Sequence, residues 1–242
     1  MGQAIATFIN QIRKYLRLGY DKYDKKLPYI ITIVVALILV VGGINLFIEL
    51  TETLSTDIMI NIDHRITQYV ISFRSPALTQ YFLYMTYVGD VYGYLIVLAI
   101  YLLISIFVFK KWKYVAQTSF VLLLATVSNM VLKRFIDRAR PGIEHMVSVE
   151  TLSYPSGHAM SAMAFYGFLI FLVYKFNLNK YLKAGILVLL AILILSIGVS
   201  RIYLGVHFPS DIAGGYIAGW IWVIFCVLVF DLIEVFRRDS KT

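Results

Sequence analysis

The 242-residue chain has a single cysteine, Cys226, so an intramolecular disulfide and a cysteine metal cluster are both excluded. That thiol falls inside an apolar run and reads as a small packing residue. Also missing are a His-Glu-x-x-His pair and any dense carboxylate cluster that would bind a metal. No metal or other cofactor is expected. There is no low-complexity tract, no internal repeat and no Asn-x-Ser/Thr sequon. Charge is scarce too, at 15% of residues against 60% hydrophobic. With a mean hydropathy of +0.78, the chain lies outside the range of soluble domains.

The apolar residues are gathered into six runs: Pro28–Ile48, Tyr84–Phe109, Val115–Leu132, Ala159–Tyr174, Ala184–Val199 and Ile212–Ile233. Runs of about 18 or more residues read as membrane spans. The fourth and fifth are short and are expected to borrow a turn from their flanks. In lipid only helices satisfy the backbone at this length, so the expectation is an all-α, polytopic bundle of six transmembrane helices. The first run is too long for a signal-peptide core and no small-residue cleavage site follows it, so it reads as an uncleaved anchor.

A net charge of +8 would point to nucleic acid in a soluble protein. Here the cations sit where a topology signal belongs, and no nucleic-acid partner is expected. With the N-terminus inside, the inner segments hold 15 of the 22 Lys and Arg residues. These are Arg13, Lys14, Arg17, Lys22, Lys25, Lys26, Lys110, Lys111, Lys113, Lys175, Lys180, Lys183, Arg237, Arg238 and Lys241. The other seven are outside, and four of those crowd into Lys133–Arg140, where they work against topology and so read as functional. Both termini are expected in the cytoplasm.

Residues 1–27 space Ile5, Phe8, Ile9, Ile12 and Leu16 around Arg13, Lys14 and Arg17, the pattern of an amphipathic helix on an anionic inner leaflet. Residues 28–236 form one membrane domain, and 237–242 a short tail. Between the first two spans, Ile58, Ile62, Ile66, Tyr69 and Val70 recur at helical spacing and predict a half-embedded outer helix. Its Asp63, His64 and Arg65 read as a solvated polar face. Gly42, Gly43, Gly167, Gly214, Gly215 and Gly219 read as helix contacts.

Three segments at the edges of apolar runs carry chemistry. In Lys133-x6-Arg140-Pro141, continuation of the helix would put both cations on one face. In Pro155-Ser156-Gly157-His158, Ser156 is an N-cap candidate and Gly157 allows close backbone approach to a ligand. His158 then sits in the first turn, beside an anion-binding helix terminus. In Ser200-Arg201-x5-His207-x3-Asp211, the four-residue spacing lets the carboxylate fix a tautomer of His207, leaving the other ring nitrogen as a nucleophile. Asp211 also reads as a plain cap for the sixth span. Arg201 is a bidentate phosphate clamp. The three segments converge on one face as a phosphate site.

This set of motifs resembles the type 2 phosphatidic acid phosphatase superfamily, with no departure at any motif position. The resemblance implies a six-helix membrane phosphatase that needs no metal and works through a phosphohistidine. By position it makes His207 the nucleophile, Asp211 its orienting partner and His158 the general acid and later base. Lys133, Arg140, Arg201, Ser156 and the Gly157 amide would hold the phosphoryl oxygens. His64 and His145 receive no role.

A site at the outer membrane–water interface selects a substrate with a buried tail and a phosphate head. Among bacterial members that the chain resembles, phosphatidylglycerophosphate is the first choice. An isoprenyl diphosphate such as undecaprenyl diphosphate follows, then phosphatidic acid. Two other classes stand against these. A vanadium-dependent haloperoxidase shares the site residues but resembles large soluble proteins. A non-enzymatic lipid binder or transporter would keep the cations without needing both histidines. Head-group preference and oligomeric state are not written in the sequence.

Overall fold

The computed structural model describes residues 27–109, 112–148 and 152–239. The basic N-terminal segment and the extreme C-terminal tail therefore lie outside the described residues. Among those described, the chain is helical and contains no strand. The elements are α1 (Leu27–Thr53), α2 (Asp57–Ile71), α3 (Pro76–Val88), α4 (Val91–Ile104), α5 (Lys113–Phe135), α6 (Gly157–Lys175), α7 (Lys180–Tyr203) and α8 (Pro209–Asp239). A π-helical turn, Ser105–Phe109, extends α4.

Five of these helices are long and apolar enough to cross a membrane. The pair α3 and α4, bent by 65° at its break, brings the number to six if the two cross as one broken span. The chain is a multi-pass membrane protein, and the fourth and fifth spans do borrow from their flanks as expected.

The second span differs from the sequence expectation. Tyr84–Phe109 is not one helix: α3 ends at Gly89, and Asp90 caps α4 by accepting the Val91 amide at 2.7 Å. A Cβ on Gly89 would lie 2.5 Å from Ile197 of α7, so the break falls at a residue where α7 leaves no room for a side chain. The stretch before it is likewise two helices, α2 and α3, rather than one. Each has its own hydroxyl cap, Thr56 and Ser75.

Helix α6 is the hub, packed on α5, α7 and α8, while α1 leans on α8. The α6–α8 seam is close because α8 offers glycines: a Cβ on Gly215 would stand 2.7 Å from the Ser156 carbonyl, and one on Gly219 would stand 2.5 Å from that of Met160. In lipid, where apolar surface alone gives little drive to associate, such small-residue seams decide which helices meet. Gly43 meets α8 in the same way, but Gly42 faces nothing within 4 Å and is no helix contact. Around the seam, Met160, Phe165, Phe168, Leu172 and Ile197 form a core.

Candidate active site

The loops α5–α6 and α7–α8 open at the same end of the bundle, and α2 and α3 fold over them. The helix through Lys133 does not continue to Arg140. Ile136 leaves helical geometry at φ −115°, ψ 89°, and the chain runs on as a loop. The two cations meet all the same, because both reach the Leu152 carbonyl, from Lys133 Nζ at 2.8 Å and Arg140 Nη2 at 3.4 Å.

Ser156 caps α6 as the sequence predicts, its Oγ accepting the Ala159 amide at 3.5 Å. The first turn of α6 thus begins at Gly157 and His158. Gly157 also has a packing reason for being glycine. A Cβ there would lie 2.9 Å from Asn129 Oδ1, while Asn129 Nδ2 donates to the Pro155 carbonyl at 3.1 Å. Asn129, buried in the third span, braces the loop from below.

His207 is buried, and its partners assign its tautomer. Nδ1 lies 3.3 Å from Asp211 Oδ2, a pure acceptor, so it carries the proton. Nε2 lies 3.3 Å from Arg140 Nη1, a pure donor, so it presents a lone pair. Burial pushes the His207 ring down to about pKa 4 against the hydrogen bond and charge of Asp211, with Arg201 and Arg140 adding to the downward push. At neutral pH the ring is uncharged, with an available nitrogen pointed at a guanidinium.

Asp211 does both jobs that the sequence offered it. Besides His207 it accepts the Phe208 amide at 2.8 Å, capping α8, and the Ser153 hydroxyl at 2.5 Å. Its other oxygen, Oδ1, accepts Arg138 Nη1 at 2.6 Å.

Arg201, in the last turn of α7, is 5% exposed. Its Nη1 donates to Thr86 Oγ1 of α3 at 2.5 Å, and its buried Nε has no hydrogen-bond partner. A buried donor left in that state costs on the order of 1–3 kcal/mol, which an anionic oxygen would recover. His207, Lys133, Arg140 and Arg201 all lie within electrostatic range of His158. All eight residues expected at the site are therefore gathered at one end of the bundle.

Sequence reasoning missed Asp63, Ser153, Ser210, Asn129 and Thr86, and it marked Arg138 only as one of four functional cations without giving it a partner. Asp63 is the plain correction: it is 1% exposed, not solvated, whereas His64 and Arg65 beside it are exposed. Its signal was Thr67 four residues on, a second polar position on the same helical face.

Residues 114–233 match the PAP2 superfamily. The chain carries a PAP2 superfamily domain. It is 29% identical over 200 residues to phosphatidylglycerophosphatase B of Bacillus subtilis (strain 168), spanning 81% of this chain and 93% of that relative. The crystal structure of a transmembrane PAP2 type phosphatidylglycerolphosphate phosphatase from B. subtilis superposes with a TM-score of 0.73 at 27% identity, covering 80% of this chain and 96% of the other. Aquifex aeolicus LpxE is a more distant match, at TM-score 0.55 and 27% identity over 67% of this chain and 93% of its own. A shorter likeness, 39% over 83 residues and 34% of each chain, links it to the bacitracin transport permease protein BcrC of Bacillus licheniformis. The PAP2 match begins at α5 and takes in all three motifs, and the B. subtilis relative extends the likeness across most of the chain.

Proposed function

We propose that this membrane enzyme, a lipid phosphate phosphatase, converts phosphatidylglycerophosphate to phosphatidylglycerol at the outer face through a phosphohistidine. His207 Nε2 attacks phosphorus in line with the ester oxygen. Lys133, Arg140, Arg201 and the N-terminal amides of α6 take the three non-bridging oxygens as charge shifts across them. His158 protonates the departing alcohol. The ring of His207 becomes cationic as the N–P bond forms, and Asp211 balances that charge through Nδ1. His158, now a base, takes a proton from water, which attacks the phosphohistidine and releases inorganic phosphate.

The observation that carries this assignment is the state of His207: neutral, its proton held by Asp211, and its lone pair set beside Arg140. A groove of about 420 Å³ supports a lipid as the leaving alcohol. It runs between α4 and α5 along Tyr94, Leu95, Leu98, Leu122 and Leu123, and its polar end holds Gly157 and His158. A tail lying there puts the head-group oxygen next to the general acid.

Phosphate release from a panel of purified lipids in detergent tests the substrate. Phosphatidylglycerophosphate is expected to turn over fastest. Faster release from undecaprenyl diphosphate or phosphatidic acid would move the assignment to that lipid. Sidedness has its own test, since Glu144 is exposed in the loop beside Arg140. Glu144→Cys is expected to react with an impermeant maleimide in intact cells, and labelling only after lysis would turn the site inward.

A further inference from the structure

Helix α2 is built inside out for a soluble helix: Ile58, Ile62, Ile66 and Tyr69 are exposed while Asp63 and Thr67 are buried. Its buried carboxylate lies at one end of a continuous charged bridge. Arg138 Nη2 meets Asp63 Oδ2 at 2.7 Å, and Arg138 Nη1 meets Asp211 Oδ1 at 2.6 Å. Ser210, the residue before Asp211, is gripped by the same carboxylate. Its amide donates to Asp63 Oδ1 at 2.9 Å and its hydroxyl to Oδ2 at 2.5 Å. The guanidinium rests on the Phe208 ring, 4.7 Å from its centroid.

We propose that Asp63 and Arg138 are positioning residues, forming a carboxylate–guanidinium–carboxylate bridge that fixes which oxygen of Asp211 faces His207 and keeps its charge available to that ring. The proposal rests on the assignment of His207 and Asp211 as nucleophile and partner.

Two physical reasons support it. The planar fork of Arg138 occupies Oδ1, so the carboxylate cannot rotate, and Oδ2 is left for His207, Ser153 and the Phe208 amide. The second reason is charge. Arg138 paired with Asp211 alone would be neutral, a poor counter-ion for a ring that turns cationic as the N–P bond forms. Asp63 shares the guanidinium, so the three side chains together keep one negative charge. A bridge between two buried carboxylates through a single cation is also intolerant of losing a member, because the remainder is left uncompensated.

The test is a double-mutant cycle on the purified full-length chain, with dioctanoyl phosphatidic acid in detergent as the probe. Asp63→Asn keeps the shape and one oxygen for the Ser210 amide but removes the charge that faces Arg138. It is expected to lower kcat about tenfold and to leave KM within about twofold, because the loss is felt in the transition state. In an Asp211→Asn background the same change is expected to cost less than about twofold, since its route to His207 is gone. Arg138→Lys should recover part of what Arg138→Ala loses, a point charge replacing the fork. Equal losses from Asp63→Asn in both backgrounds, or a loss confined to KM, would overturn the bridge. An Asp211→Asn enzyme with unchanged kcat would instead sink the nucleophile assignment beneath it. If Asp63→Asn does not accumulate as folded protein, Arg138→Lys runs the same cycle with the same two readings.

Discussion

Helices α1 and α6 are both apolar enough to span a bilayer, yet they behave oppositely. Only 6% of the most apolar stretch of α1 is buried within the protein, against 56% of that of α6. Hydrophobicity, with a mean hydropathy of 2.8 for α1 and 1.5 for α6, does not say which small-residue surface packs inside. Composition does: α1 is mostly bulky aliphatic residues, whereas α6 opens with Gly157, Ala159, Ser161, Ala162 and Ala164 and continues to Gly167. Small residues let α8 and α7 approach, and the approach carries the loops with it. The helix that is best packed is therefore also the one whose first turn holds the proposed phosphate site, and α1 is free to face lipid.

The sharpest way to use this contrast is to cut the chemistry from the packing at the end that carries the motif loops. His207→Ala is expected to lower turnover by at least about 10⁴-fold, since a nucleophile has no substitute. The variant should still purify as a folded monodisperse species, and substantial residual turnover would break the phosphohistidine assignment. His158→Ala at the head of α6 is expected to cost roughly 10²–10⁴-fold, the range of one general acid. That loss should shrink with an aryl phosphate, whose leaving group needs no proton.

Packing comes next. Gly219→Leu drives a side chain into the α6 backbone and is expected to destabilise by about 1–3 kcal/mol or more, read as a lower melting temperature in detergent. Gly42→Leu, where nothing lies within 4 Å, is expected to leave melting and activity alone. Equal effects at the two glycines would erase the contrast between α1 and the α6–α8 seam.

The smallest effect is a displaced pH limb. Because burial holds the His207 ring down to about 4, the enzyme's acid limb in kcat/KM should fall near pH 4 rather than 6.5, once substrate ionisation is divided out. The sign for stability follows. Between about pH 4 and 6.5 the unfolded chain binds more protons than the folded one at this residue, so its contribution is complete above 6.5 and is lost as pH falls toward 4. An acid limb that tracks 6.5 in the corrected profile would mean a solvated ring.

What the sequence made legible was whatever depends on neighbours along the chain. Span positions follow from run length, the Ser156 cap from the residue types before an apolar run, and the His207–Asp211 hydrogen bond from one turn of spacing. What stayed hidden depends on neighbours in space. Gly89 and the Asp90 cap beside it mark the break along the chain, but that Ile197 stands against this glycine is announced by nothing near it. Lys133 and Arg140 were paired by an imagined helix, when a carbonyl 12 residues beyond Arg140 is what brings them together. Asp63 was misread because solvent was assumed to lie where the polar face points. In α2 the apolar side faces out and the polar side meets Arg138, so the usual assignment of inside and outside is reversed.

Asp211 spends the same oxygen on the Phe208 amide and on the ring of His207, so no substitution there is a purely chemical experiment. Alanine would unfasten the first turn of α8 as well as the nucleophile, and the lost turnover would mix a frayed helix with a misaligned ring. Asparagine keeps an oxygen for the amide and removes the charge together with the acceptor that Arg138 uses. The loss in the asparagine variant reads what the carboxylate does for the reaction, and the further loss on going to alanine reads the cap.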